Sequence, residues 1–132
     1  GRLVLPSRLK SVLPEASKKS IIIRKGFESN LIIYPITEFQ NIYTRINSLS
    51  EFSSEQRKLK RNLFSGISQI DFDSNGRFLI PKNMISHCGI ERGVILIGVG
   101  NIIELWNPKS YKSNLIKNSK EFSSLAQKYL DI

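Results

Sequence analysis

A six-residue phrase occurs twice in this chain: Gly1-Arg2-Leu3-Val4-Leu5-Pro6 returns as Gly76-Arg77-Phe78-Leu79-Ile80-Pro81, 75 residues later. In a chain of 132 residues, that repeat constrains the fold more than any composition figure, because two copies of one supersecondary unit must bury their apolar faces on each other. The order of features after each copy also matches. A short mixed segment leads to two β-like runs, Ser20 to Lys25 and Asn30 to Tyr34 in the first unit, Gly93 to Val99 and Ile102 to Trp106 in the second. An aromatic residue and a proline then open a helix, with Tyr34-Pro35 answering Trp106-Asn107-Pro108. Tyr34 and Trp106 are 72 apart, so we place a three-residue deletion in the loop between, where length change is tolerated.

Each unit therefore reads as strand, short helix, hairpin and helix. Beyond Pro35, Ile36, Phe39, Ile42 or Tyr43, Ile46 and Leu49 recur every three to four residues, one apolar helix stripe. A second helix is expected from Ser54 to Phe64, since Ser53 and Gln56 have capping-box spacing, and its other face holds Arg57, Lys58, Lys60 and Arg61. A C-terminal helix, about Lys120 to Leu130, aligns Phe122, Leu125, Ala126 and Tyr129. We divide the chain into residues 1–66, which include the basic helix, and residues 67–132, which include the C-terminal helix. No low-complexity linker separates them, so one shared core is expected.

Charge narrows the partner. The chain has 20 Lys+Arg against 11 Asp+Glu, a formal net charge of +9 and a field that attracts polyanions, although exposed lysine also serves solubility. Residues 1–66 hold 12 basic and 5 acidic residues, net +7, and residues 67–132 hold 8 and 6, net +2. Apolar runs such as Val94 to Ile97 fall far short of the roughly 20 residues that span a membrane. One Cys and one His exclude an internal disulfide and a zinc site made of the chain's own Cys and His, and imply a reducing, cytoplasmic setting. The opening residues lack an initiating Met and the apolar core of a signal peptide, so leading residues are expected to be missing.

Ile70-Asp71-Phe72-Asp73-Ser74-Asn75-Gly76-Arg77-Phe78-Leu79-Ile80 alternates apolar and polar residues about Asn75-Gly76, the favoured pair for a two-residue type I′ hairpin turn. Arg77 then leaves the hairpin tip, and Arg2 holds the same place in the first unit. Such a ribbon enters the DNA major groove, where a guanidinium fork matches guanine O6 and N7. The alternative is an ordinary surface bridge from Arg77 to Asp73 or Asp71. Repetition favours the first reading, because two matched arginines address two sites on one ligand.

Asp73-Ser74-Asn75-Gly76-Arg77-Phe78-Leu79-Ile80-Pro81, the shorter copy at Gly1 to Pro6, Ile97-Gly98-Val99-Gly100-Asn101 and Leu105-Trp106 together resemble MraZ proteins over nearly the whole chain. The family's Asp-x-x-x-Arg element is complete at Asp73 and Arg77, while in the first repeat its Asp would precede Gly1. The resemblance implies an α+β fold in which two tandem AbrB/MazE-like units form a pseudo-twofold swapped-hairpin (double-split) β-barrel with flanking amphipathic helices. It implies a bacterial, nucleoid-associated regulator that binds short promoter repeats on double-stranded DNA, represses its own division and cell-wall operon, and assembles as a ring-shaped homo-oligomer. By analogy Arg2 and Arg77 contact bases or phosphates, Asp73 orders the turn, and Arg8 and Lys10 contact phosphates, where the second unit has Asn83 and Ile85.

The other candidates carry less. His87 and Cys88 are neighbours that point about 100° apart on a helix, unsuited to a catalytic dyad, and a buried thiol beside a surface His is expected. Gly98-Val99-Gly100 lacks the third glycine of a dinucleotide site and reads as a hairpin turn. Tyr34 and Trp106 read as core or interface aromatics. No acidic pair stands out, so we expect no enzyme, catalytic residue, cofactor, metal or small-molecule substrate. The rival class is an antitoxin-like interaction module of the same barrel type. It usually carries a disordered acidic tail, whereas this chain ends in an apolar-patterned helix with Lys120, Glu121 and Lys128. RNA is disfavoured because the arginines lack an aromatic stacking platform.

Overall fold

The computed structural model describes residues 2–11, 13 and 19–132, the side chain of Arg8 excepted. In the first unit the elements are β1 (Arg2–Val4), α1 (Ser7–Lys10), β2 (Ser20–Lys25), β3 (Asn30–Tyr34), α2 (Ile36–Asn47) and α3 (Ser54–Ser65). The second has β4 (Ile67–Asp71), β5 (Arg77–Leu79), α4 (Lys82–Cys88), β6 (Ile95–Val99), β7 (Ile102–Trp106), α5 (Pro108–Ser113) and α6 (Ser119–Leu130). The strands make two antiparallel sheets, a β1–β5 ribbon and a five-stranded sheet in the order β4-β2-β3-β7-β6. The fold is thus mixed α+β, and among the described residues no closed barrel forms.

Period-two alternation decides which layer each strand residue joins. Ile21, Ile23, Leu31, Ile33, Ile103 and Leu105 point into one core, which Phe78 of the ribbon also enters. Ile22, Ile32 and Tyr34 point to the other sheet face, where Ile36, Phe39 and Ile42 of α2 cover them. Burial on both faces explains why β3 is a continuous apolar run after Asn30. The expected common core is present: Leu5, Leu9 and Leu13 of the first unit meet Ile80, Met84 and Cys88 of the second, each pair 75 residues apart.

The strand registers carry the two-fold relation. Ile32 faces Glu104 at the centre of the β3–β7 pair, and these two positions are themselves 72 apart, so exchanging the units maps the pair onto itself. Ile22 faces Tyr34 while Ile95 faces Trp106, which puts β2 and β6 73 apart. The drift from 75 to 72 is therefore divided, with one residue lost at the hairpin turn and two upstream of β6, rather than taken as a single deletion. In this frame the counterpart of β4 would precede Gly1, and β6 is an edge strand.

Four local expectations change. Asn75 does not have positive φ, so the turn is not type I′; only Gly76 does, at 73°. Gly76 N–H donates to the Asp73 carbonyl at 3.0 Å and Asp73 N–H to the Arg77 carbonyl at 2.7 Å, the bonding of a four-residue turn followed by a left-handed glycine. Beyond it the strands do not pair with each other. β4 joins β2 and β5 joins β1. Ser53 caps α3 by accepting from Gln56 N–H at 3.2 Å, but the Gln56 side chain turns to Ser50 N–H at 2.6 Å, so half of the capping box is made. Pro35 is the N-cap of α2, one place before its first turn, whereas Pro108 does open α5.

A candidate nucleic-acid interface

The ribbon pairs Arg2 with Leu79, Leu3 with Phe78 and Val4 with Arg77. Exchanging the units converts the Arg2–Leu79 pair into the Arg77–Val4 pair and leaves the central pair in place. Directly opposed residues share a face, so Arg2, Val4, Arg77 and Leu79 form the outer surface while Leu3 and Phe78 turn inward. Phe78 is fully buried and meets Phe72 edge on, with ring centroids 5.7 Å apart. That anchor holds the arginine-bearing strand against the core.

Both arginines converge on one carboxylate. Asp73 Oδ1 accepts the backbone N–H of Asn75 and of Arg77, each at 2.9 Å. Its Oδ2 accepts Arg77 Nε at 3.0 Å and Arg2 Nη1 at 3.2 Å. The backbone bond from Arg77, ahead of the Asn75 bond and the Arg77 side chain, holds the Asp73 carboxyl below its ordinary value of 3.8. An ionised Asp73 thus joins the turn to both guanidiniums. The Arg2 and Arg77 side chains remain 58% and 43% exposed, so the bridges leave much of each side chain facing solvent.

Lys10 extends the cationic surface. Its Nζ lies 3.4 Å from where a Cβ on Gly76 would stand, and with Ser7 and Phe72 it lines a hollow of about 450 Å³ beside the turn. Arg8 belongs to α1, but its side chain lies outside the described residues, as does Gly1. The ribbon therefore brings together Arg2, Lys10, Asp73 and Arg77. The surface bridge weighed as the alternative reading of Arg77 is present, with Asp73 and not Asp71 as its partner; the link from Arg2 to that carboxylate, 71 residues away, had no local signal.

The remaining candidates separate from this surface. Arg57, Lys58, Lys60 and Arg61 sit on α3, whose Phe64 meets Tyr43 of α2 edge on, and none of them joins the contacts of Arg2, Asp73 and Arg77. His87 Nε2 is 3.0 Å from the Glu28 carbonyl, while Cys88 is buried and its thiol is pushed up to about 11 by desolvation, which keeps it protonated and unreactive. Gly98 and Val99 end β6, and Gly100, at φ 65°, makes the turn with Asn101. Tyr34 and Trp106 are buried. No helix among the described residues is long and apolar enough to cross a membrane.

A family model described as "MraZ protein, putative antitoxin-like" matches residues 1–62 and again residues 63–131. The transcriptional regulator MraZ of Cytophaga hutchinsonii is 45% identical over 130 residues, covering 98% of this chain and 86% of that protein. Those of Christiangramia forsetii and Finegoldia magna are each 32% identical, covering 98% and 100% of this chain and 84% and 90% of their own lengths.

Proposed function

The chain belongs to the MraZ family, and from that premise we propose that it is a non-enzymatic transcription regulator, a repressor of its own division and cell-wall gene operon that binds short promoter repeats on double-stranded DNA. It works in the cytoplasm at the nucleoid. The names carried by its relatives support transcription regulation as the general role. One observation carries the DNA-binding step: two arginines related by the pseudo-twofold axis lie on the exposed face of a two-stranded ribbon and share the Asp73 carboxylate.

Arg2 and Arg77 read base edges or phosphates, Asp73 sets the turn that presents them, and Lys10 and Arg8 contact the backbone. The exchange of arms at the Asp73 turn, with β4 in one sheet and β5 in the other, supports the swapped-hairpin barrel class. A single ribbon contact is weak. Chains arranged in a ring-shaped homo-oligomer present ribbons to successive repeats and gain avidity through effective concentration.

Selection of bound duplexes from random DNA, with spacing analysis of the recovered sequences, tests this reading. Regularly spaced short repeats are expected; recovery without sequence preference would reduce the activity to polyanion binding. The description of the matching family model also favours a second reading, an antitoxin-like interaction module, for which the expected result is copurification with a small basic ribonuclease.

A further inference from the structure

The outer face of the ribbon holds two residues that its charge does not explain. Val4 is 49% and Leu79 55% exposed, although the opposite face of the same ribbon is buried through Phe78. An isolated aliphatic side chain on a surface needs no explanation. These two are counterparts, 75 residues apart as Arg2 and Arg77 are, so the duplicated phrase places an aliphatic as well as an arginine on that face. Neither joins the apolar cluster beneath the ribbon, where Leu3 and Phe78 pack.

The strand register sets their spacing. Val4 faces Arg77 and Leu79 faces Arg2, while Val4 follows Arg2 and Leu79 follows Arg77 by two positions along the strand. The outer face is thus a chequered square, with the arginines on one diagonal and the aliphatics on the other. Opposed Cβ atoms lie about 5 Å apart, and alternate residues of one strand about 7 Å apart. Successive base pairs are stacked about 3.4 Å apart, so on a duplex each aliphatic stands within about two base pairs of a position met by an arginine. Thymine is the base that offers an apolar group in the major groove, its 5-methyl. Guanine, adenine and cytosine present donors or acceptors there, which a Val or Leu side chain would desolvate without replacing their hydrogen bonds.

We infer that Val4 and Leu79 are specificity-determining residues, which read thymine 5-methyl groups beside the positions met by Arg2 and Arg77. This rests on the DNA-binding reading above and deepens it: the positive charge of the face draws the duplex in, the guanidinium forks select guanine, and the aliphatics select thymine. Exchanging the two units carries Val4 onto Leu79, so the contacted thymines stand on either side of the pseudo-twofold axis.

Replacing thymine by deoxyuridine removes that methyl and keeps the base pair, so it tests the contact without touching the protein. The probe is a duplex carrying one repeat recovered by the selection described above, bound by the full chain and followed by fluorescence anisotropy at fixed salt. Deoxyuridine should weaken binding about 4-fold for each methyl contacted. Val4→Ser and Leu79→Ser change exposed positions and leave no methyl to offer. Each should bind the thymine duplex less tightly and become insensitive to deoxyuridine at one thymine, a different thymine for each variant. Equal binding of wild type to both duplexes overturns the inference, as does a deoxyuridine loss that persists in full in both variants or a recovered repeat without thymine. Serine variants that change the size of the assembly while keeping the thymine preference overturn it too, and give the pair to a protein contact. Selection that recovers no preferred sequence overturns the DNA-reading proposal and this one with it, whereas a repeat bound at full strength with deoxyuridine overturns this inference alone.

Discussion

Replacing Arg77 by Ala should weaken binding to a duplex carrying one repeat by about 1–3 kcal/mol, or about 5- to 140-fold. The size follows from how the side chain is held. Nε is committed to Asp73 Oδ2 at 3.0 Å, which fixes the plane of the guanidinium and leaves the terminal Nη1 and Nη2 groups to meet a guanine edge. Arg77→Lys keeps the charge and loses the fork. It should therefore fall close to Arg77→Ala if the contact is to a base, and close to wild type if the contact is to a phosphate. Fluorescence anisotropy at fixed salt, on repeat and scrambled duplexes in parallel, separates these cases. One repeat must be used, because in a complex that engages several subunits the losses compound. Equal losses on both duplexes, or unchanged binding by Arg77→Ala, would refute base readout by this arginine.

Other perturbations probe the surroundings of that contact. Lys10→Ala should weaken binding to both duplexes alike and lower the salt slope by about 1, measured across a salt series. Gly76→Ala should cost about 1–2 kcal/mol in urea unfolding, because φ is 73° and a Cβ disfavours that region, and Gly76→Asn should cost less. Phe78→Ala empties a fully buried site and should cost about 3–5 kcal/mol in the same assay, with the slope unchanged. The Asp73 carboxyl is held below its ordinary 3.8, so its contribution to stability is complete above about pH 4 and is lost as pH falls through the lower folded value. The stability difference between wild type and Asp73→Asn should accordingly shrink below about pH 4 in urea titrations.

The repeat made the order of elements and the common core legible, because Leu5, Leu9 and Leu13 fall in the same frame as Ile80, Met84 and Cys88. The Asp73–Arg77 pair was legible for a different reason: four residues across a turn is a local distance. Partner choice was not. The alternation around Asn75-Gly76 says that two strands flank a turn, but the strand each one pairs with depends on apolar surfaces elsewhere in the chain, and β4 and β5 go to different sheets. The type I′ expectation failed with that pairing, since it presumed a closed two-residue hairpin. Arg2 was matched to Arg77 by position in the repeat, yet its capture by the same carboxylate requires the β1–β5 register, which no local pattern encodes.

Six of the 12 basic residues in the first 66 stand in two separate groups. Arg2 and Lys10 stand at the ribbon, where a single carboxylate is shared by two guanidiniums and positive charge is left over. Arg57, Lys58, Lys60 and Arg61 stand on α3, which packs against α2. Charge on α3 raises the general attraction to a polyanion. On the proposed reading, specificity comes from the ribbon, where the guanidiniums are held by Asp73 and the strand by the burial of Phe78 beneath them.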